Sequence, residues 1–325
     1  MKQLIFLFFL FLNTLLHAAH AITYEGGDRL GDRLLAYSQA RYLTYITQVP
    51  FLHRPFRYSD QMKIDYQAES YEEKFRSFHF QYTIRSGDEL LEFFRRIQNP
   101  NTPPTLFILD YHPTEITEWD KDSSRSVLFN VPWWQDREFF NYLHASTAPN
   151  IPIPDLTVEG RLNVAAHVRT LSGGDTVDTS TLAFPLKHTN TDYHKRQIRR
   201  VYEYNRRRPM HVFLFSDTKE PLALLEEFRN SFRGEDIIFN TRVLEQPDTQ
   251  HAVEDFFAMQ KFNVLIATQS NFSMMAARVG DYDMVIFPIR AIGVHPNSHI
   301  DRVQLVTRKS SWFPYQLDIT LKDMR

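Results

Sequence analysis

The second half of the chain alternates in a way that few folds accommodate. Short apolar runs at Leu162 to Val168, Met210 to Phe215, Ile237 to Asn240, Val264 to Ala267 and Met284 to Phe287 are separated by segments of helical periodicity. Those segments lie near Asp192 to Tyr204, Glu220 to Phe232, His251 to Lys261 and Phe272 to Val279. A strand buried on both faces reads as an unbroken apolar run, and a helix between two such strands returns the chain so that they pair in parallel. The pattern therefore predicts an α/β domain whose parallel sheet is covered by helices on both faces.

The first half is less regular. Helical stretches are expected at Arg33 to Thr47 and Gly87 to Ile97, and a strand at Thr105 to Asp110 after the turn cluster NPNTPP. Pro149 to Asp155 (PNIPIPD) places three prolines in seven residues, and proline stops elements and removes donors. A boundary is expected there, with an α/β domain over 22–150 and a more regular, Rossmann-like domain over 151–325. Residues 1–21 carry Lys2, an apolar run from Leu4 to Leu16 and the small-x-small site Ala19-His20-Ala21, the pattern of a secretory signal. The apolar run is shorter than the ~20 residues of a membrane span, so no stable span is expected after cleavage. Secretion or a periplasmic location follows, with a secretory lumen as the variant.

With 325 residues and 43% hydrophobic content the chain can bury a full core. A net charge of −2 provides no global field for nucleic acid, so an anionic ligand has to be met by a local cluster. The chain has no cysteine, which excludes disulfides, thiol catalysis and thiolate metal sites.

In a parallel sheet, ligands meet loops and helix N-termini at the carboxyl ends of the strands. Four clusters draw attention. NVAAHVRTLSGGD ends a strand in His167 and Arg169 beside Gly173 and Gly174, where an arginine can grip a phosphate with two parallel hydrogen bonds. A salt-bridged arginine and a core histidine fit the same residues. Ser216-Asp217-Thr218 follows MHVFLF and suits either a nucleoside hydroxyl or a helix cap. Thr268 to Ser273 (TQSNFS) follows VLIA, and Ser270 and Ser273 with helix amides would make an anion site or a plain capped helix. The fourth, Gly26 to Leu35 (GGDRLGDRLL), holds three of the ten glycines and lacks both the Walker and the G-x-G-x-x-G patterns.

Taken in order, these stretches resemble the motifs of the α1,2-, α1,6- and protein O-fucosyltransferase superfamily. GGDRLGDRLLAY is similar to its glycine-rich first motif, AAHVRTLSGGD to its His-x-Arg motif, HVFLFSDT to its strand with an acidic residue, and VEDFFAMQKFNVLIATQSNFSMMAA to its last motif. The resemblance spans about Glu25 to Ala277 and leaves Phe51 to Asn150 unmatched. It implies a GT-B architecture, two Rossmann-like domains facing a cleft, and inverting transfer from GDP-fucose to a glycan or glycoprotein acceptor without cofactor or metal. It implies that Arg169 binds the diphosphate and stabilises the leaving group, and that His167 contacts the nucleotide. Asp217 and Asp255 would lie near the guanosine, with Ser270, Asn271, Phe272 and Ser273 at the phosphate and base pocket. Gly27, Arg29, Gly31 and Asp32 would come from the other domain. Two positions depart from the motifs: Thr170 stands where many members have a second arginine, and Asp32 where an asparagine is expected. Glu25 and Asp32 are the candidates for an acceptor base by position alone. A transferase using another nucleotide sugar, or a noncatalytic binder of carbohydrate or nucleotide, would carry the same motifs.

Other features read as structural. Asp281-Tyr282-Asp283 and Asp120-Lys121-Asp122 have metal-binding spacing but do not follow strands, and His188 and His194 are badly spaced for one helical face. The basic run Arg196 to Arg208 is expected to be a solvated face with ion pairs. The aromatic pairs Phe139-Phe140 and Trp133-Trp134 suit sugar stacking, and Trp133-Trp134, which follows a proline, equally suits a plug of the first domain.

Overall fold

A computed structural model describes residues 20–26, 29–64, 71–110, 136–170, 189–243, 251–268, 270–290 and 299–305. The chain divides into two compact units, Met1–Asn150 and Ile151–Arg325.

The first unit is built on three parallel strands, β1 (Ala21–Glu25), β2 (Phe80–Ile84) and β3 (Thr105–Asp110), in the order β1-β3-β2. The central strand TLFILD is buried from Thr105 to Leu109, as its unbroken apolar run predicts. Helices α1 (Leu30–Thr47), α2 (Tyr71–Phe75), α3 (Gly87–Gln98) and α4 (Arg137–Ser146) complete the unit. Helix α3 starts where Ser86 accepts a hydrogen bond from the Glu89 amide, with Asp88 and Glu89 in its first turn and Arg95 and Arg96 in its last. That order of charges complements the helix dipole. Helix α1 begins three residues before the expected Arg33, because the turn is already made at Gly26, whose φ of 86° lies in the region that favours glycine. Strand β1 was not expected, since its apolar residues continue the leader. Its residues Ala21 and Ile22 are buried and pair with Leu106 and Phe107. Phe139 is fully buried against Tyr42 and Tyr45, so it belongs to the core and the sugar-stacking expectation does not hold for it. Trp133, Trp134, Asp120 and Asp122 lie outside the described residues.

Among the described residues the second unit has six strands: β4 (Leu162–Val168), β5 (Met210–Ser216), β6 (Ile237–Thr241), β7 (Val264–Ile266), β8 (Met284–Arg290) and β9 (His299–Leu305). Their order is β6-β5-β4-β7-β8-β9. All neighbours from β6 to β8 are parallel, as expected, whereas β9 closes the sheet antiparallel to β8. The polar run HIDRVQL does not read as a strand because its pairing partner, not its own pattern, fixes it. Helices α5 (Thr191–Tyr204), α6 (Pro221–Ser231), α7 (Ala252–Met259) and α8 (Asn271–Val279) connect the strands. A core of Leu162, Val164, Ala166, Val212, Leu214, Val264, Ile266, Met284 and Ile286 joins residues of α5 and α6 to the sheet. Within the basic run Arg199 pairs with Glu235 at 2.6 Å, and immediately before it Lys195 pairs with Glu227 at 2.6 Å, as a solvated face requires.

This strand order fixes where a ligand can sit. From β4 the chain winds one way through β5 and β6, then returns to the other side of β4 to lay down β7 and β8. The direction reverses between β4 and β7, and in open parallel sheets the crevice beyond the carboxyl ends at such a reversal is where ligands bind.

Candidate functional site

The loops leaving β4 and β7 carry the two clusters singled out in the sequence. The strands end level, with Ala166 opposite Ile266 and Val168 opposite Ser216 of β5. Arg169, the first residue beyond β4, extends across the reversal, and its Nη1 donates to the Ser270 hydroxyl oxygen at 2.7 Å. His167 stacks its ring 5.5 Å from that of Phe272, which in turn meets Phe256 at 5.6 Å. Both side chains of the His-x-Arg segment therefore reach the β7–α8 loop, as residues flanking a strand position should.

Ser270 is the N-cap of α8, yet its side chain makes no capping bond. Its hydroxyl is turned to the arginine, and the positive end of the helix dipole stands beside a guanidinium. Two sources of positive potential thus converge where the strand order reverses. Ser273 lies inside this turn: it is fully buried, and its hydroxyl faces the Thr268 and Ser270 carbonyls at 3.1 and 3.3 Å, holding the loop's shape. Asn271 opens the helix and Phe272 follows it.

Asp217 ties the β4 loop from the other side. Its Oδ1 accepts from the Thr170 amide at 2.7 Å and from the Thr170 hydroxyl at 3.0 Å. The threonine that departs from the His-x-Arg-Arg pattern is thus a double donor that fixes the backbone just beyond Arg169. Asp255, on α7, is held by Arg242 from the loop after β6, at 2.8 Å through Nη2, while Arg242 Nη1 lies 3.1 Å from Glu254. Burial pushes the Asp255 carboxyl upward, opposed by the neighbouring arginine.

Burial holds the histidines neutral. His167 is pushed down to about 3, by burial first, then by Arg169 and His194. Its Nδ1 is enclosed with no hydrogen-bond partner. His194 is pushed down to about 4, again mainly by burial. A neutral imidazole has one N–H, and that of His194 is best placed on Nε2, 3.0 Å from the His167 carbonyl oxygen. With these rings neutral, Arg169 is the cation that the described residues place at the reversal point.

Arg29, Gly31 and Asp32 occupy the N-terminus of α1 in the first unit, Arg29 as N-cap and Asp32 in the first turn. Gly27 lies outside the described residues, as do Gly173, Gly174 and His188. Glu25 ends β1 and pairs with Arg54 at 2.8 Å. Among the described residues no group of three or more histidine, aspartate or glutamate side chains is arranged to hold a metal ion.

Sequence reasoning noted Thr170 only as a departure from the motif and His194 only as a badly spaced metal ligand, and it did not single out Arg242 or Tyr193. A signal for His194 existed: it falls four residues before Ile198, on the buried face of α5 with Tyr193, Ile198, Val201 and Tyr202, a face whose other buried polar residue is Gln197.

No family model matches the chain, and no curated protein sequence matches it. Its likeness lies in structure. An arginine-to-lysine variant of FUT1 from Arabidopsis thaliana, solved in complex with GDP, superposes with a TM-score of 0.51 at 12% identity, covering 84% of this chain and 71% of that one. The chain shares its fold with that FUT1 variant. NodZ α-1,6-fucosyltransferase from Bradyrhizobium is also similar, at 13% identity and a TM-score of 0.43 over 88% of this chain and 98% of that one. So is POFUT1 in complex with GDP-fucose, at 11% and 0.43 over 81% and 94%. The two α/β units with parallel sheets agree with the α/β fold class expected from the sequence.

Proposed function

We propose that the chain is a glycosyltransferase that moves fucose from GDP-fucose to a glycan or protein hydroxyl with inversion and without a metal. The observation that carries this reading is the Arg169–Ser270 pair at the reversal of strand order, beside a helix N-terminus with no side-chain cap. The GDP bound to the FUT1 variant of the same fold supports the choice of nucleotide.

In the reaction the acceptor oxygen bonds to the anomeric carbon from the face opposite GDP, and the bond from that carbon to the β-phosphate oxygen breaks. The bonding pair goes to the phosphate, and the acceptor proton leaves to a base or to water. Negative charge grows on the β-phosphate as the bond breaks, so groups fixed beforehand around it lower the barrier. Arg169 supplies a cation already held by Ser270, and the first amides of α8 supply dipoles. Phe272 and the His167 ring form an apolar wall beside them. Asp217 acts through Thr170 on the backbone that carries Arg169. We assign the second unit to the nucleotide sugar and the first to the acceptor. Export by the N-terminal leader belongs to the same proposal.

Calorimetric titration with GDP, UDP, CDP and ADP in the presence of a chelator tests the reading. Selective GDP binding is expected. Preference for another diphosphate would replace the donor, and binding of none would leave a noncatalytic protein on this fold.

A further inference from the structure

The first turn of α5 contributes two neighbouring side chains that the proposed chemistry does not use. Tyr193 and His194 are buried beneath the carboxyl edge of the second sheet, Tyr193 at 1% and His194 at 0% exposure. The Tyr193 hydroxyl donates to the carbonyl oxygen of Ala267, immediately after β7, at 3.2 Å. His194 Nε2 lies 3.0 Å from the carbonyl oxygen of His167, near the end of β4. Their rings meet edge to face at 5.0 Å and 83°, so neither moves without the other. The helix is anchored at this end, since the Asn190 side chain accepts from the Tyr193 amide at 2.9 Å.

These two carbonyls belong to the two strands between which the order reverses, and to the two loops that carry Arg169 and Ser270. Neither carbonyl is that of a reacting residue, and neither buried side chain reaches the surface. We propose that Tyr193 and His194 are positioning residues: a brace from one helix turn to the ends of β4 and β7 that holds Arg169 and Ser270 in register for an anionic diphosphate. The inference rests on the nucleotide reading above only for its ligand. The brace itself is a property of the ligand-free fold. Hydrogen bonds from one rigid turn to two strands fix the distance between their ends, and an anion site gains when its donors need no rearrangement on binding.

The same helix offers an internal control. Tyr202, nine residues further on, accepts from the Asp236 amide at 3.3 Å, at the amino edge of the sheet where β6 begins. Tyr193→Phe and Tyr202→Phe therefore delete the same hydroxyl from the same helix at opposite edges. Amide hydrogen exchange on the full chain without ligand is the first readout. In Tyr193→Phe, and more so in Tyr193→Phe/His194→Leu, amides at 167–170 and 267–270 should exchange about tenfold faster, the size expected for one lost buried hydrogen bond. Tyr202→Phe should leave them unchanged. Titration with GDP is the second readout, with about a tenfold loss of affinity for Tyr193→Phe and none for Tyr202→Phe. His194→Gln, which keeps a donor, should recover part of the loss seen in His194→Leu. Unchanged exchange at 167–170 and 267–270 in the double variant would overturn the brace. Absence of GDP binding by the unaltered chain would overturn the nucleotide reading instead, and the exchange data would still decide the brace.

Discussion

Acidification should destabilise the second unit well before its carboxylates titrate. Three histidines in that unit are held neutral by burial, with values pushed down to about 3 for His167 and about 4 for His194 and His211. His211 shows the cause most plainly. Its Nδ1 donates to Asn163 Oδ1 at 2.9 Å and its Nε2 accepts from the Asn240 amide at 3.1 Å, so the neutral ring is satisfied and a second proton would meet an N–H. In the unfolded chain each ring titrates near its ordinary 6.5. A depressed native value means that the stabilising contribution is whole above the unfolded value and is lost as pH falls from there toward the native one. At pH 5.5 an unfolded histidine is about nine-tenths protonated while the native ring is not, a loss of ~1.4 kcal/mol per residue. Three residues give ~4 kcal/mol as an upper figure, a large part of the ~5–15 kcal/mol that holds a domain folded. Urea unfolding followed by far-UV ellipticity at pH 7.5, 6.5 and 5.5 and fixed ionic strength measures it. His211→Gln should remove about a third of the pH dependence. A free energy of unfolding that is flat from pH 7.5 to 5.5, or a slope untouched by His211→Gln, would refute the reasoning.

Three further outcomes are expected. Asp217→Ala strands two donors of Thr170 and should cost ~1–2 kcal/mol in unfolding titrations together with weaker GDP binding, while Asp217→Asn, which keeps an acceptor oxygen, should cost less. Arg242→Met leaves Asp255 and Glu254 without their cation and should cost ~1.5–3 kcal/mol at neutral pH, a loss that shrinks as Asp255 takes up a proton on acidification. A chain beginning at Ile22 loses the Thr105 amide's bond to His20 Nδ1 at 3.2 Å and the buried Ala21, so thermal unfolding should show it ~1–2 kcal/mol less stable than a chain beginning at His20.

The parts of the fold that could be read from the sequence are those whose residues carry their own reason. TLFILD, LNVAAHV and MHVFLF are buried on both faces, so their apolar runs mark them as central strands. Strand β2 was not readable because Phe80 is 54% exposed and the strand lies at the edge of its sheet, where pattern weakens. Strand β1 was not legible because the apolar run from Leu4 to Leu16 precedes it closely and drew its residues into one pattern. In the site, Arg169 and Ser270 stood out because each follows an apolar run. The reversal of order between their strands was not legible, since the position of β7 beside β4 depends on pairing 100 residues apart. Tyr193 and His194 were hidden for a related reason: their partners are backbone carbonyls 74 and 27 residues away, and a carbonyl has no signature in the sequence.

The central claim is that Arg169, placed by Ser270 at the reversal point, receives a nucleoside diphosphate. Titration of the unaltered chain and of Arg169→Ala with GDP, side by side and with thermal unfolding as a check on the fold, tests it most directly. Loss of charge-assisted hydrogen bonds to a diphosphate predicts a ~10- to 100-fold rise in Kd with the unfolding midpoint kept. Equal affinities for GDP in the two proteins would contradict the account.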